Sequence, residues 1–239
     1  MTKLHIFSPD VSWQARIHKN SDLKEAAAKA VIERNIISRY DHIYLDCGST
    51  FVYLAKEIFA SYDKLSPLTI YTTNASILSE YMALEHRDLF NFILIGGRYV
   101  PHHDAFDGKG FEFETQSEVI IDKAFIGVCP INLKLIVYGS ISDVITIKQK
   151  VINKSSEIYF LCDENKFHEP PLGSRIVGKV DCTIDNTLNF FVDHDKVKSI
   201  PTRIIVGMKD DSDHSKEFNE FLQMANSIGL ITNNSVILA

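Results

Sequence analysis

The chain has 239 residues, enough for one large α/β domain or two small ones with a buried core. Apolar residues make up 45% and charged residues 23%, so neither a disordered nor a membrane-embedded composition fits, and a formal charge of −6 argues against the basic stripe of a broad nucleic-acid surface. Cys47, Cys129, Cys162 and Cys182 are widely spaced beside apolar runs with no Cys-x-x-Cys pair, which predicts reduced, partly buried thiols rather than a disulfide framework or a zinc site. No apolar run approaches the roughly 18 residues of a membrane helix, and the N-terminus shows no signal-peptide core; the chain is read as cytoplasmic.

Residues 1–20 read as a short polar-aromatic arm. Asp22 and Glu25 have the spacing of a capping box, followed by the helical stripe Ala26, Ala27, Ala30, Val31 and Ile36. His42–Cys47 predicts a buried strand, and Phe51, Leu54, Ala55 and Ile58 a helix. The alternation continues with strand 68–73, helix 75–84, strand 92–95, a polar loop 98–110, helix 112–121 and strand 123–128. Helix 143–153 and strands 158–162 and 180–184 follow, and the tail adds strand 203–206, an amphipathic helix 216–228 and strand 235–238. Short apolar strands alternating with helices predict an α/β fold, a mostly parallel sheet with helices on both faces. The tail is too short for its own core and is read as an addition to the sheet.

In such a sheet, ligands gather beyond the C-terminal ends of the strands. The first strand ends in Asp46-Cys47-Gly48-Ser49-Thr50. A glycine, two hydroxyls and the free N–H groups of a following helix make a seat for a phosphate, or else an ordinary capped turn. The lysine of a P-loop and the glycine spacing of a dinucleotide fingerprint are both missing. Thr73 and Asn74 end the second strand as ligand contacts or as a helix cap. Gly96 and Gly97 end the third, allowing close backbone approach or a tight turn. Arg98 could pair with a phosphate, or sit on the surface. A fourth strand ends at Gly127. Asp163 and Lys166, in "CDENKF", close the fifth, and Lys148 on a helix is a further candidate cation. His102, His103, Asp104 and Asp107 cluster in sequence, but adjacent histidines in a polar loop seldom converge on one ion, and no metal or other cofactor is expected.

In series these strand ends resemble the C-terminal sensor domain of DeoR-type bacterial transcriptional regulators, from about Leu23 to Asn186. Asp46-Cys47-Gly48-Ser49-Thr50 is similar to the family's Asp-x-Gly-Thr-Thr, Thr73-Asn74 to its Thr-Asn, and "LIGGRYVPHHDAFDG" to its Gly-Gly segment with Gly108 at the later glycine. "KAFIGV" looks like its Phe-x-Gly strand, Lys148 its helix lysine, Asp163-Glu164-Asn165-Lys166-Phe167 its Asp-x-Ser-Lys-Phe, and "CTIDN" its closing strand. The resemblance implies a fold like ribose-phosphate isomerase and the sugar-phosphate deaminases. In such domains the hydroxyl loop and the lysines hold a phosphorylated sugar or similar metabolite. It gives residues 21–186 as the sensor-like domain and 187–239 as an extension packed on it. Val144 and Asn165 depart from the family pattern.

The resulting expectation is a phosphosugar-binding sensor acting within a homo-oligomer. The roughly twenty residues before the sensor-like start cannot hold a helix-turn-helix, so no direct nucleic-acid binding by this chain is expected. A sugar-phosphate isomerase is the first alternative, with Asp46, Asp104, Asp107 or Asp163 as a base. An interaction protein with a degenerate pocket is the second.

Overall fold

The computed structural model describes residues 12–109, 119–139, 145–172, 174–182, 188–191, 199–210 and 213–239. The arm opens with a short helix, α1 (Trp13–His18), whose N-terminus is capped by Ser12 accepting from the Ala15 N–H. α2 (Ser21–Glu33) follows after Asn20, which adopts a left-handed conformation. The capping box is not formed: Asn20 holds the N-cap position with no side-chain cap, and Glu25 pairs instead with Lys29 one turn on.

β1 (His42–Leu45), α3 (Thr50–Ala60), α4 (Tyr62–Leu65), β2 (Leu68–Thr72), α5 (Ala75–Met82) and β3 (Phe90–Leu94) build the first half. The loop after β3 carries a small hairpin, β4 (Tyr99–Val100) against β5 (Ala105–Phe106). The second half runs β6 (Ile121–Gly127), β7 (Ile136–Gly139), α6 (Ile145–Asn153), β8 (Ser155–Asp163), β9 (Arg175–Cys182), β10 (Leu188–Phe191), β11 (Ile200–Gly207), α7 (Lys216–Ser227) and β12 (Val236–Leu238). Of the helix expected over 112–121, Ile121 is the first residue of β6 and residues 112–118 lie outside the described ones, as do Asp143, Val144 and residues 183–187.

One ten-stranded sheet has the order β3-β2-β1-β6-β8-β11-β10-β9-β7, with β12 alongside the second half of β11. The pairs from β3 to β11 are parallel, whereas β10, β9 and β7 form an antiparallel edge. The alternation of side chains along buried strands gives each face its own core. Ile43, Leu45, Ile70, Phe125 and Leu161 pack under α2 and α3 on one face. Tyr44, Ala124, Ile126, Ile158 and Phe160 pack under α6 and α7 on the other. The tail strands β11 and β12 belong to this same sheet, each bonded over its length to a neighbour.

The winding matters for the site. From β1 the chain moves outward through β2 to β3, then returns to the other side of β1 with β6 and winds the opposite way through β8 to β11. The reversal falls between β1 and β6. Connections leave these two neighbours in opposite directions, which opens a crevice at their C-terminal ends.

Candidate functional site

A cleft of about 420 Å³ occupies that crevice. Its floor comes from the segments that follow β1, β6 and β8: Cys47–Phe51, Gly127–Cys129 and Leu161–Lys166. Asp46, fully buried at the end of β1, ties the floor together. Its carboxylate accepts the Cys47 N–H at 2.8 Å and the Gly127 N–H at 2.9 Å, and it holds the Lys148 ammonium of α6 at 2.7 Å. Lys148 also donates to the Gly127 carbonyl at 3.1 Å. Burial is the largest single influence and lowers the Lys148 pKa, but the Asp46 charge and hydrogen bond together with the neighbouring cysteines leave the net shift upward. Gly127 packs closely, since a Cβ there would stand 3.1 Å from the Phe51 ring and 3.3 Å from the Asp46 carboxylate.

Gly48, Ser49 and Thr50 lead into α3 at the cleft wall. Ser49 does not cap the helix with its side chain. Among the described residues the N–H groups of Gly48, Ser49 and Thr50 meet no acceptor. Hydroxyls and amides therefore face the cleft together at the positive end of the α3 dipole.

The rim is cationic. Arg16 and Lys19 reach the cleft from α1 and the turn after it, Lys24 from α2 and Lys166 from the 3-10 turn after β8. Lys24 is 5% exposed and donates to the carbonyls of Arg16 and Lys19, fastening α1 to α2. Burial drops its pKa to about 8, with Lys166, Arg16 and Lys19 adding to the fall against the opposing pull of Asp163. Asp163 accepts the Asn165 N–H at 3.0 Å and the Asn20 amide at 3.4 Å. The second wall is the β4–β5 turn, where the His102 and His103 rings meet edge to face at 5.1 Å. Burial and the nearby Arg16 cation push His103 down to about 4, so it is neutral at pH 7. Burial pushes the Cys47 thiol up to about 12, which makes it inert; Cys129, by contrast, is an exposed free thiol in the cleft.

The candidates drawn from sequence divide accordingly. Gly48, Ser49, Thr50, Lys148, Asp163 and Lys166 line the cleft, and Asp46 lies directly beneath it. Thr73, Asn74, Gly96, Gly97 and Arg98 do not line it. Thr73 is fully buried. Asn74 caps α5, accepting from Ser76 and Ile77, and its amide reaches the Gly48 carbonyl at 3.4 Å. Gly97 has φ +132, and a Cβ there would collide with the Asp107 carboxylate. That carboxylate accepts the N–H groups of Arg98 and Lys109, each at 3.1 Å. Asp104 is likewise engaged, by the hydroxyls of Ser76 and Tyr99. Among the described residues no cluster of three His, Cys, Asp or Glu side chains is arranged to hold a metal ion.

Arg16, Lys19, Lys24 and the two histidines were not among the candidates. Arg16 and Lys19 fall in the stretch read as an arm, Lys24 lies in an alanine-rich helix, and His102 and His103 enter the sequence reading only as metal ligands.

Fold and site together define an α/β domain with a cation-lined cleft at a topological switch point. Sequence comparison makes the family explicit. The profile of the DeoR C terminal sensor domain matches residues 19–175, and the chain belongs to that family. It is 26% identical over 179 residues to the uncharacterized HTH-type transcriptional regulator FruR of Bacillus subtilis (strain 168), covering 75% of this chain and 66% of that one. It is 27% identical over 136 residues to the HTH-type transcriptional regulator IolR of the same organism, covering 57% and 51%. The chain thus spans less than two thirds of the length of either relative. Among solved structures it is similar to ribose 5-phosphate isomerase from Plasmodium falciparum, with a TM-score of 0.46, 15% identity, and coverage of 82% of this chain and 99% of that one. No helix among the described residues is long and apolar enough to cross a membrane.

Proposed function

We propose that this sensor domain binds a phosphorylated sugar in the switch-point cleft and reports its presence within a transcriptional regulatory system. The observation that carries this reading is that Lys24 and Lys166, electrostatic neighbours, line the same cleft as Ser49, Thr50 and the amides entering α3, which meet no acceptor among the described residues. A phosphate dianion supplies what that corner lacks: acceptors for the hydroxyls and amides, and charge for the ammonium groups. The neutral His103 and the paired Lys148–Asp46 floor offer hydrogen bonds without net charge, suited to sugar hydroxyls. We further take residues 13–239 as one domain, because α1 is fastened to α2 and α3 and the tail strands complete the sheet, and place the protein in the cytoplasm as a homo-oligomer whose states the ligand biases.

The isomerase alternative requires a carboxylate free to remove a proton. Asp163 is the carboxylate lining the cleft among the described residues, and it already accepts from Asn20 and Asn165. Asp46, Asp104 and Asp107 are committed to structural partners.

Thermal unfolding with and without ligand tests the proposal. Glucose 6-phosphate, fructose 6-phosphate and ribose 5-phosphate are compared with their parent sugars; at a hundred times Kd a true ligand adds about 2.7 kcal/mol of stability. The phosphorylated members are expected to raise the melting temperature and the parents to do far less. Lys166→Ala and Thr50→Val should shrink the shift while remaining folded. Equal shifts from parent sugars, or variants that bind like the parent protein, would overturn the assignment.

A further inference from the structure

We propose that His103 is a specificity-determining residue of the cleft: it reads one hydroxyl of the sugar, so that the ligand is a sugar phosphate keeping that hydroxyl, and the matching deoxy sugar phosphate and simple phosphates are discriminated against. This rests on the phosphosugar reading above and deepens it. The first observation is the state of the ring. His103 is 8% exposed and lines the cleft, yet among the described residues neither of its ring nitrogens has a hydrogen-bond partner. Neither is among the polar atoms sealed from solvent, so both remain within reach of a ligand. The ring is also held in place. It packs edge to face on His102 at 5.1 Å, and the His103 N–H donates to the Val100 carbonyl at 3.0 Å. The hairpin that carries it is bound to the rest of the domain by the Phe106 N–H on the Thr73 carbonyl at 2.8 Å and the Ala75 N–H on the Asp104 carbonyl at 2.9 Å. A polar group fixed in this way and left without an internal partner is set for one from outside.

The chemistry of the ring decides what it takes. Burial pushes the His103 pKa down, and the charges of Arg16, His102 and Lys148 push the same way against Asp46, to about 4. The imidazole is therefore neutral at pH 7, with one N–H donor and one bare nitrogen acceptor. So low a pKa also makes it a poor base, which suits the ring to recognition rather than proton transfer. A phosphate dianion only accepts, and does nothing for the bare nitrogen. A sugar hydroxyl both donates and accepts, and satisfies either nitrogen. Of the charged neighbours, Lys148 and Asp46 are spent on each other at 2.7 Å, and Arg16 donates to the His102 carbonyl. A site that hydrogen-bonds a hydroxyl rejects the analogue lacking it, because the buried polar group is then left unpaired.

The test is calorimetric, at about pH 7.5, where the phosphate is a dianion and the ring neutral. Whichever of glucose 6-phosphate, fructose 6-phosphate and ribose 5-phosphate binds most tightly is compared with its full set of monodeoxy analogues and with inorganic phosphate. Loss of one of the hydroxyls is expected to weaken binding about tenfold or more. In His103→Phe that penalty should shrink to within about threefold, while the penalties at the other hydroxyls stay. His103→Ala, which removes the ring, carries the test if the phenylalanine variant does not fold. His103→Gln, which keeps a donor and an acceptor, should restore part of the discrimination. Lys166→Ala should weaken every sugar phosphate alike, the deoxy analogues included. If the sugar phosphate binds in a Lys166-dependent way and no deoxy penalty depends on His103, the inference fails and the phosphosugar reading stands. An equal loss of inorganic phosphate and of the sugar phosphate in His103→Phe would make the ring a phosphate ligand and overturn the inference as well. If no phosphorylated probe binds, both fall.

Discussion

The strand ends of β1, β6 and β8 and those of β2 and β3 carry similar residues, glycines, hydroxyls, amides and basic side chains, yet only the first set opens on the cleft. Beside β1 the groups line the cleft: among the described residues the amides of Gly48, Ser49 and Thr50 meet no acceptor. Beside β2 and β3 they face one another. The Thr72 hydroxyl donates to the Leu45 carbonyl at 2.7 Å and accepts from the Asn74 N–H at 3.1 Å. Asn74 caps α5, and Asp107 gathers the backbone around Arg98. Position in the winding decides the difference. β1 and β6 part at the reversal and leave a gap, whereas the space beyond β2 and β3 is filled by the β4–β5 hairpin, whose Phe106 N–H donates to the Thr73 carbonyl at 2.8 Å. Residue type proposes a binding site at a strand end, and topology disposes of most of them.

The largest effect that distinguishes the two sets is expected at Asp46. Asp46→Ala leaves the Lys148 ammonium beside the Gly127 carbonyl without its counter-charge, and strips acceptors from two backbone N–H groups. Losing one member of a buried pair costs about 3–5 kcal/mol, read as a lower urea midpoint at unchanged slope. The double variant with Lys148→Met should recover part of that loss. A cost no larger than that of a helix cap would show that the floor of the cleft is no more tightly built than its surroundings.

Next in size is a pH dependence of binding. Burial holds the free Lys24 ammonium near pKa 8, while a sugar phosphate is already a dianion above about pH 6. The anion favours the protonated lysine. Affinity for glucose 6-phosphate should therefore be greatest between about pH 6 and 8 and fall as pH rises through the Lys24 value, by at most about tenfold per unit. Lys24→Gln should bind more weakly and show no such fall between pH 7 and 9. A flat profile in the parent protein would remove Lys24 from the phosphate corner.

The parallel core was legible because each of its units repeats a short apolar strand and a helix with a stripe, and Phe51, Leu54, Ala55 and Ile58 are buried where their spacing places them. The antiparallel edge was not. β7 and β10 are four residues each, too short for a period to declare itself. α1 is six residues with Trp13 alone buried, so no stripe marks it. That Gly48-Ser49-Thr50 and Lys166 line one cleft could be read because those residues sit directly at strand ends. Lys24 could not: within an alanine-rich helix it looks like a solvated lysine, and its burial follows from the α1 carbonyls folding back over it. Asn20 likewise acquires its role from Asp163, a contact made only in the folded chain.

A smaller effect is expected outside the crevice. Asn74→Ala removes the acceptor for the Ser76 and Ile77 N–H groups at the start of α5, and a lost cap of this kind costs about 1 kcal/mol. Its phosphosugar affinity should stay within about twofold of the parent, since a stability change distant from the site adds to binding without coupling to it. Because the Asn74 amide also reaches the Gly48 carbonyl at 3.4 Å, a larger loss of affinity would mean that the β2 end positions the phosphate seat from behind.

Arg98 gives the smallest and sharpest comparison. As a basic residue after Gly-Gly at a strand end, it looks from sequence as suited to a phosphate as Lys166. Its side chain is 65% exposed and stands 3.5 Å from the Asp107 carboxylate. The Asp107 carboxylate is buried, but the Arg98 end of the pair lies in solvent, where screening holds its contribution to about 1 kcal/mol or less. The Arg98 backbone N–H donates to the Asp107 carboxylate at 3.1 Å, a contact that any residue at this position would keep. Arg98→Ala should accordingly shift stability by less than about 1 kcal/mol and leave glucose 6-phosphate binding unchanged, while Lys166→Ala in the same titration abolishes most of it. If the two variants lost affinity equally, a cation beyond the hairpin would be steering the ligand, and the reversal between β1 and β6 would no longer account for where this domain binds.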